Sequence, residues 1–136
     1  MVSTNYMLEL KSNPKSVCHI EPYVNRIVED FKINDEIYGN ILISLTEAVN
    51  NAIYHGNQED DSKTVRIKLA NFTNKQIAFE VSDDGNGFNP NDLPDPTAPD
   101  NIMKLGGRGV FLMQQLSDDV EFKDNGSTVH INFRIS

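Results

Sequence analysis

A single cysteine among 136 residues, Cys18, removes several kinds of protein at once. One thiol cannot close an internal disulfide, build a zinc cluster or form a redox pair. Cys18 is therefore expected to be a small buried hydrophobe. No apolar run approaches the length of a membrane-spanning helix, so a membrane is not an expected partner. The N-terminal stretch MVSTNYMLELKSNPK lacks the basic patch followed by a long apolar run that marks a secretory signal. A cytoplasmic location is the expectation. Basic residues are few and scattered, 12 against 20 acidic ones, for a net charge of −8. With no Lys/Arg cluster to overcome that balance, direct contact with nucleic acid is not expected. Repeats and low-complexity tracts are also missing.

What is present suits an ordinary globular chain, with 38% apolar and 24% charged residues. The length predicts one domain over residues 1–136 with a single core. Tyr6 to Leu10 reads as a short strand. After Asn13 and Pro14, Val17, Ile20, Val24, Ile27, Val28 and Phe31 follow helical spacing, with Pro22 kinking or delaying the helix. A second helix is predicted from a cap at Asn34 or Asp35 to a glycine stop at Gly56, its apolar face formed by Ile37, Ile41, Leu45, Ala48 and Ala52. Thr64 to Ala70 and Gln76 to Ser82 alternate like an antiparallel strand pair. A short helix over Gly109 to Leu116 precedes strands Val120 to Lys123 and Thr128 to Ile135, joined by an Asp124-Asn125-Gly126 turn. The expected fold class is α+β, a two-layer sandwich whose mixed, mostly antiparallel sheet is covered on one face by helices.

Three polar clusters interrupt this pattern. In LTEAVNNAIYHG, the positions Ser44, Glu47, Asn51 and His55 share one shoulder of the apolar stripe, because residues four apart lie on one helix face. They are either boundary polar residues or the wall of a cleft. In SDDGNGF a strand ends in Asp83 and Asp84, followed by Gly85 and Gly87. A carboxylate there can accept from the exocyclic amine of a base, and glycines let backbone approach a ligand; a plain Asp-Gly turn has the same composition. The twelve-residue calcium loop of an EF-hand is absent. The third cluster, Gly106-Gly107-Arg108-Gly109, opens a helix and so offers free N–H groups to a phosphate, unless the loop merely needs positive φ angles. It is not a P-loop, since no Gly-Lys-Ser/Thr follows. Between the second and third clusters, the seventeen residues NPNDLPDPTAPDNIMKL (Asn89–Leu105) hold four of the six prolines and read as a lid.

Taken in order, Glu47-x-x-x-Asn51, Asp83-x-Gly85-x-Gly87 and Gly107-x-Gly109 resemble the N, G1 and G2 boxes of the GHKL ATPases, the superfamily of gyrases and histidine kinases. TEAVNNAIYHG together with GGRGVFLMQQLSDDVEF is most similar to the anti-sigma factor serine kinases of bacterial partner-switching systems. The resemblance implies a Bergerat ATP-binding fold with ATP and Mg²⁺ as cofactors. It implies Asn51 as Mg²⁺ ligand, Glu47 as general base, and Asp83, helped by Thr128, as reader of the adenine amine. Gly85 and Gly87 would border base and sugar, and Gly107, Arg108 and Gly109 would hold the phosphates. Leu105 stands where some relatives carry a basic residue, with Lys104 and Arg108 as nearby substitutes. The implied partners are a sigma factor, a STAS-domain anti-anti-sigma protein and a second copy of the chain. An ATP-gated binding module without kinase turnover is the alternative. A detached histidine kinase ATPase domain is a further one, disfavoured because no phosphoacceptor hairpin fits in 136 residues.

Overall fold

The computed structural model describes residues 6–57, 60–85, 107–124 and 127–135. Strand β1 (Met7–Lys11) leads through a 3₁₀ turn (Pro14–His19) into helix α1 (Ile20–Phe31), and helix α2 (Asp35–Asn51) ends in one wide turn (Ala52–Gly56). Then come β2 (Thr64–Phe72), β3 (Gln76–Asp83), α3 (Gly107–Leu116), β4 (Asp119–Lys123) and β5 (Thr128–Arg134). The strands lie in the order β1-β2-β3-β5-β4, and all four pairings among them are antiparallel. The protein is thus an α+β sandwich of one sheet and one helical layer.

Local chemistry sets the helix limits. Asn34 is the N-cap of α2, its side-chain oxygen accepting from the Ile37 N–H at 3.0 Å, and Asp35 and Glu36 place negative charge at the positive end of the helix dipole. Pro22 is the third residue of α1, where an N–H has no intrahelical partner to lose, so it follows the helix start without kinking it. Lys32 closes α1 in the left-handed region at φ 55°, letting the Ile33 N–H donate back to the Val28 carbonyl at 3.0 Å.

Two expectations are corrected here. Cys18 is exposed. The segment before Ile20 is a 3₁₀ turn of period three, which turns Val17 and Ile20 inward together and leaves Cys18 and His19 facing solvent. Gly56 is not a left-handed helix stop. The regular part of α2 ends at Asn51, and the chain then widens into a π-type turn in which the Asn57 N–H reaches the Ala52 carbonyl at 2.8 Å.

The core is built from alternating strand residues pressed against helical stripes. Val65, Ile67 and Leu69 of β2, Ile77, Phe79 and Val81 of β3, and Val129, Ile131 and Phe133 of β5 are buried with Ile20, Val24 and Ile27 of α1 and Ile41, Leu45, Ala48 and Val49 of α2. Phe79 and Phe133 meet edge to face at 6.3 Å. Val110 and Met113 bury the inner side of α3, which packs on α2. The other sheet face is polar, with Lys68 and Lys123 flanking Glu80 at 3.2 and 3.6 Å. A register shift between Leu69 and Asn71 carries β2 on to Phe72, past the predicted Ala70. No helix of the described residues is long and apolar enough to cross a membrane.

Candidate functional site

Three chain segments converge where the C-terminal half of α2, the end of β3 and the start of α3 meet. A small cavity there is lined by Ala48, Asn51 and Ala52 of α2 and its wide turn, Val81 and Asp83 of β3, Met113 of α3, and Phe122, Ser127 and Val129. Its lining is largely apolar, with Asn51, Asp83 and Ser127 as its polar residues.

On the helical wall, Glu47 is half-buried and Asn51 is 7% exposed. Their four-residue spacing stacks them on one face of α2, and α3 comes down directly on that face. A Cβ added at Gly109 would lie 3.1 Å from Oε2 of Glu47 and 3.2 Å from both Nδ2 and Oδ1 of Asn51. Glycine at this position lets the first turn of α3 touch both side chains. The helix begins at Gly107, so its unpaired N–H groups open beside the carboxylate and the amide.

Asn51 also carries a buried amide nitrogen without a hydrogen-bond partner. Buried polar atoms are rarely left so. Because the two ends of an amide exchange by a half-turn, the same position can present its oxygen to a cation. Among the described residues no three His, Cys, Asp or Glu side chains converge into a metal cage. A lone amide oxygen fits Mg²⁺ shared with phosphate oxygens and water better than it fits an ion enclosed by protein.

On the strand wall, Asp83 is half-buried and its carboxylate Oδ1 accepts from the Gly85 N–H at 2.8 Å. Burial pushes its pKa up from 3.8 to about 6; the Gly85 N–H works against the rise, and the neighbouring Asp84 adds to it. Asp84 goes the other way. The Arg66 guanidinium donates to it at 2.9 Å and the Thr64 N–H at 2.9 Å, which together hold its carboxyl below the usual range. Two adjacent aspartates are thus sorted by surroundings, Asp84 into a structural ion pair and Asp83 into the cavity. The Asp83 N–H donates to the Ser127 carbonyl at 2.9 Å.

The structure brings Glu47, Asn51, Asp83, Gly85 and Gly109 into one locality, with Gly107 at the helix start. Thr128 opens β5 opposite Ser82 and Lys123, one residue out of phase with the inward-facing Val129, and its neighbour Ser127 takes the place in the cavity wall. Gly87, Lys104 and the Asn89–Leu105 segment lie outside the described residues, as do the side chains of His55 and Arg108. Sequence reasoning gives Gly56 only the part of a helix stop and passes over Asn57. The Gly56 carbonyl occupies the space that a Cβ on Gly85 would need, 1.8 Å away, and a Cβ on Gly56 would fall 2.2 Å from Oδ2 of Asp83. The signal lay in the Gly-Asn pair that closes the first polar cluster.

A family model described as the histidine kinase-like ATPase domain matches residues 10–133, and the chain belongs to that family. Among curated proteins it is similar to the serine-protein kinase RsbW of Listeria monocytogenes, 25% identical over 129 residues that cover 90% of this chain and 82% of that protein. RsbW of Bacillus licheniformis is 27% identical over 131 residues, covering 90% of this chain and 81% of its own. RsbW of Bacillus subtilis is 32% identical over 102 residues, 70% of this chain and 62% of that protein. Among solved structures, the histidine kinase domain of the blue-light activated histidine kinase from Erythrobacter litoralis shares the fold, with a TM-score of 0.54 and 23% identity over 85% of this chain and 60% of that one.

Proposed function

We propose that the protein is an ATP-binding anti-sigma factor and serine-protein kinase, which sequesters a sigma factor and phosphorylates a serine on a STAS-domain anti-anti-sigma protein. The observation that carries the reading is the meeting of Glu47, Asn51 and the start of α3 at Gly109, opposite Asp83 across one cavity. Similarity to proteins named serine-protein kinase RsbW supports the choice of serine as acceptor.

Each residue does what its surroundings permit. Asp83, ionised at neutral pH, accepts from the amine of adenine in a wall completed by the Ser127–Thr128 segment. Gly85 leaves room for base and sugar, and the resemblance extends the same part to Gly87. The N–H groups at the start of α3 receive phosphate oxygens at the positive end of the helix dipole, and the resemblance adds the adjacent sequence cations Lys104 and Arg108. Asn51 offers an amide oxygen to Mg²⁺, and the ion neutralises charge on the phosphates when bound. Glu47 accepts the proton of the attacking serine hydroxyl. Residues 1–136 form one such unit, with the Asn89–Leu105 segment as its lid, acting as a homodimer in the cytoplasm.

Capture from native lysate with Mg-ATP tests the reading, with bound proteins and new phosphoserine identified by mass spectrometry. A sigma factor together with a serine-phosphorylated STAS protein is expected. A partner bound without phosphorylation points instead to an ATP-gated binding module. Failure of the purified chain to bind ATP by calorimetry overturns both.

A further inference from the structure

Asn57 is an amide with no exposed surface, and every hydrogen-bonding group it owns is engaged. Its N–H donates to the Ala52 carbonyl at 2.8 Å and its carbonyl accepts from the Asp60 N–H at 3.1 Å. Its side-chain Nδ2 donates to the Thr64 carbonyl at 3.1 Å, and Oδ1 accepts from the Asp84 N–H at 3.0 Å. One side chain thus joins the turn that ends α2, the first residue of β2, and the peptide immediately after Asp83.

We propose that Asn57 is a positioning residue for base recognition, holding the Asp83 carboxylate at a fixed distance from the helical wall that carries Asn51. The inference rests on the reading of Asp83 as the group that accepts from the adenine amine. The wide turn over Ala52–Gly56 gives the geometry its reach. An i→i+5 turn adds a residue relative to a regular helix, and that residue brings Asn57 under the end of β3. The Gly56 carbonyl then seats against Gly85, whose own N–H orients Asp83. Asn57 supports the peptide on one side of the carboxylate and Gly85 supports it on the other. Among these contacts, only Asn57 hydrogen-bonds the Asp84 peptide to the helix end. A group that must meet a single amine gains affinity from being held in place before the ligand arrives.

The test compares ADP with purine riboside 5′-diphosphate, which differs only by lacking the amine, in wild type, Asn57→Ala and Asn57→Asp. Calorimetry is done at a temperature where each variant is folded by circular dichroism. Asn57→Ala is expected to weaken ADP about tenfold or more, the size of one hydrogen bond to a charged group, and to leave the deaminated analogue within about twofold. Asn57→Asp keeps the acceptor for the Asp84 N–H and is expected to fall between. A structural role alone weakens both ligands together or neither, and either result overturns the proposal. If Asn57→Ala does not fold, Gly85→Ala presses on the same seam from the other side and is expected to reduce the ADP preference likewise; an undiminished preference there overturns the proposal too. Wild type that binds neither ligand removes the nucleotide reading itself, whereas wild type that prefers ADP with unchanged variants removes only the role of Asn57.

Discussion

Replacing Asp83 by asparagine is expected to make the protein more stable at neutral pH and poor at holding its nucleotide. Burial lifts the carboxyl from 3.8 to about 6. At about 1.4 kcal/mol per tenfold change in proton affinity, keeping it ionised in the fold costs up to about 3 kcal/mol, and partial solvent access trims this to about 1.5–2 kcal/mol. Asparagine is isosteric, retains an oxygen for the Gly85 N–H now accepted at 2.8 Å, and carries no charge to bury. For a domain of this length each kcal/mol moves Tm by about 3–4 °C, so a rise of roughly 5–8 °C at pH 7.5 is expected. The pH dependence has a definite sign. Between pH 4 and 6 the folded protein holds a proton that the unfolded chain has released, so the Asp83 contribution lowers stability as pH rises through that window and is fully present above it. Asp83→Asn should remove this slope. Losing a charged acceptor of about 1.5–3 kcal/mol should weaken ADP by roughly 10- to 150-fold in calorimetry. An unchanged slope and Tm would refute the burial reasoning, and unchanged ADP affinity would remove the base-reading assignment.

Glu47→Gln keeps shape but not basicity; if the proposed STAS protein is the substrate, its serine phosphorylation should fall by about 100-fold or more while ADP affinity holds, and a rate near wild type would strike Glu47 from the proposed mechanism. Gly109→Ala adds a methyl 3.1–3.2 Å from Glu47 and Asn51, so ATP affinity should drop while Tm holds or rises, alanine being the better helix former by about 1 kcal/mol. A simple loss of Tm would mean that the contact is packing alone. Gly56→Ala would put its Cβ 2.2 Å from Oδ2 of Asp83, and overpacking of this kind typically costs about 1–3 kcal/mol, readable as a lower urea midpoint.

Much of this was legible in the sequence because helices and strands have fixed periods. Glu47 and Asn51 share a face by spacing alone, and the alternation in TVRIKLA and QIAFEVS places the buried residues of β2 and β3 correctly except Ala78, which is buried on the opposite phase. The resemblance implied that Asn51 and Gly109 serve one site, and in the structure a Cβ on Gly109 would lie 3.2 Å from the Asn51 amide. What stayed hidden depends on partners far along the chain. Asn57 meets the Asp84 N–H across 27 positions, and no local pattern encodes that contact. Gly56 was read as a helix stop because that is the commonest local reason for glycine, whereas the governing one is an aspartate on another strand. Cys18 was misplaced because a lone cysteine with no disulfide or metal to serve reads as a small core residue, and composition does not say which side of the 3₁₀ turn it falls on. That Ser127 lines the cavity beside Thr128 is likewise not legible, because sequence does not tell which residue of a hairpin end turns inward.

The exposed Cys18 bears directly on how any oligomer of this protein must be measured. A lone thiol on the surface can join two chains in air, and the linked species would carry the mass of the homodimer expected for the active form. Size measurements therefore have to be paired with and without reductant, or made on Cys18→Ser, which should leave stability within about 0.5 kcal/mol of wild type. The same residue is a ready handle: under reductant one maleimide label reports on each chain without engineering, and because the label consumes the thiol, any pair that persists afterwards is not the oxidised one.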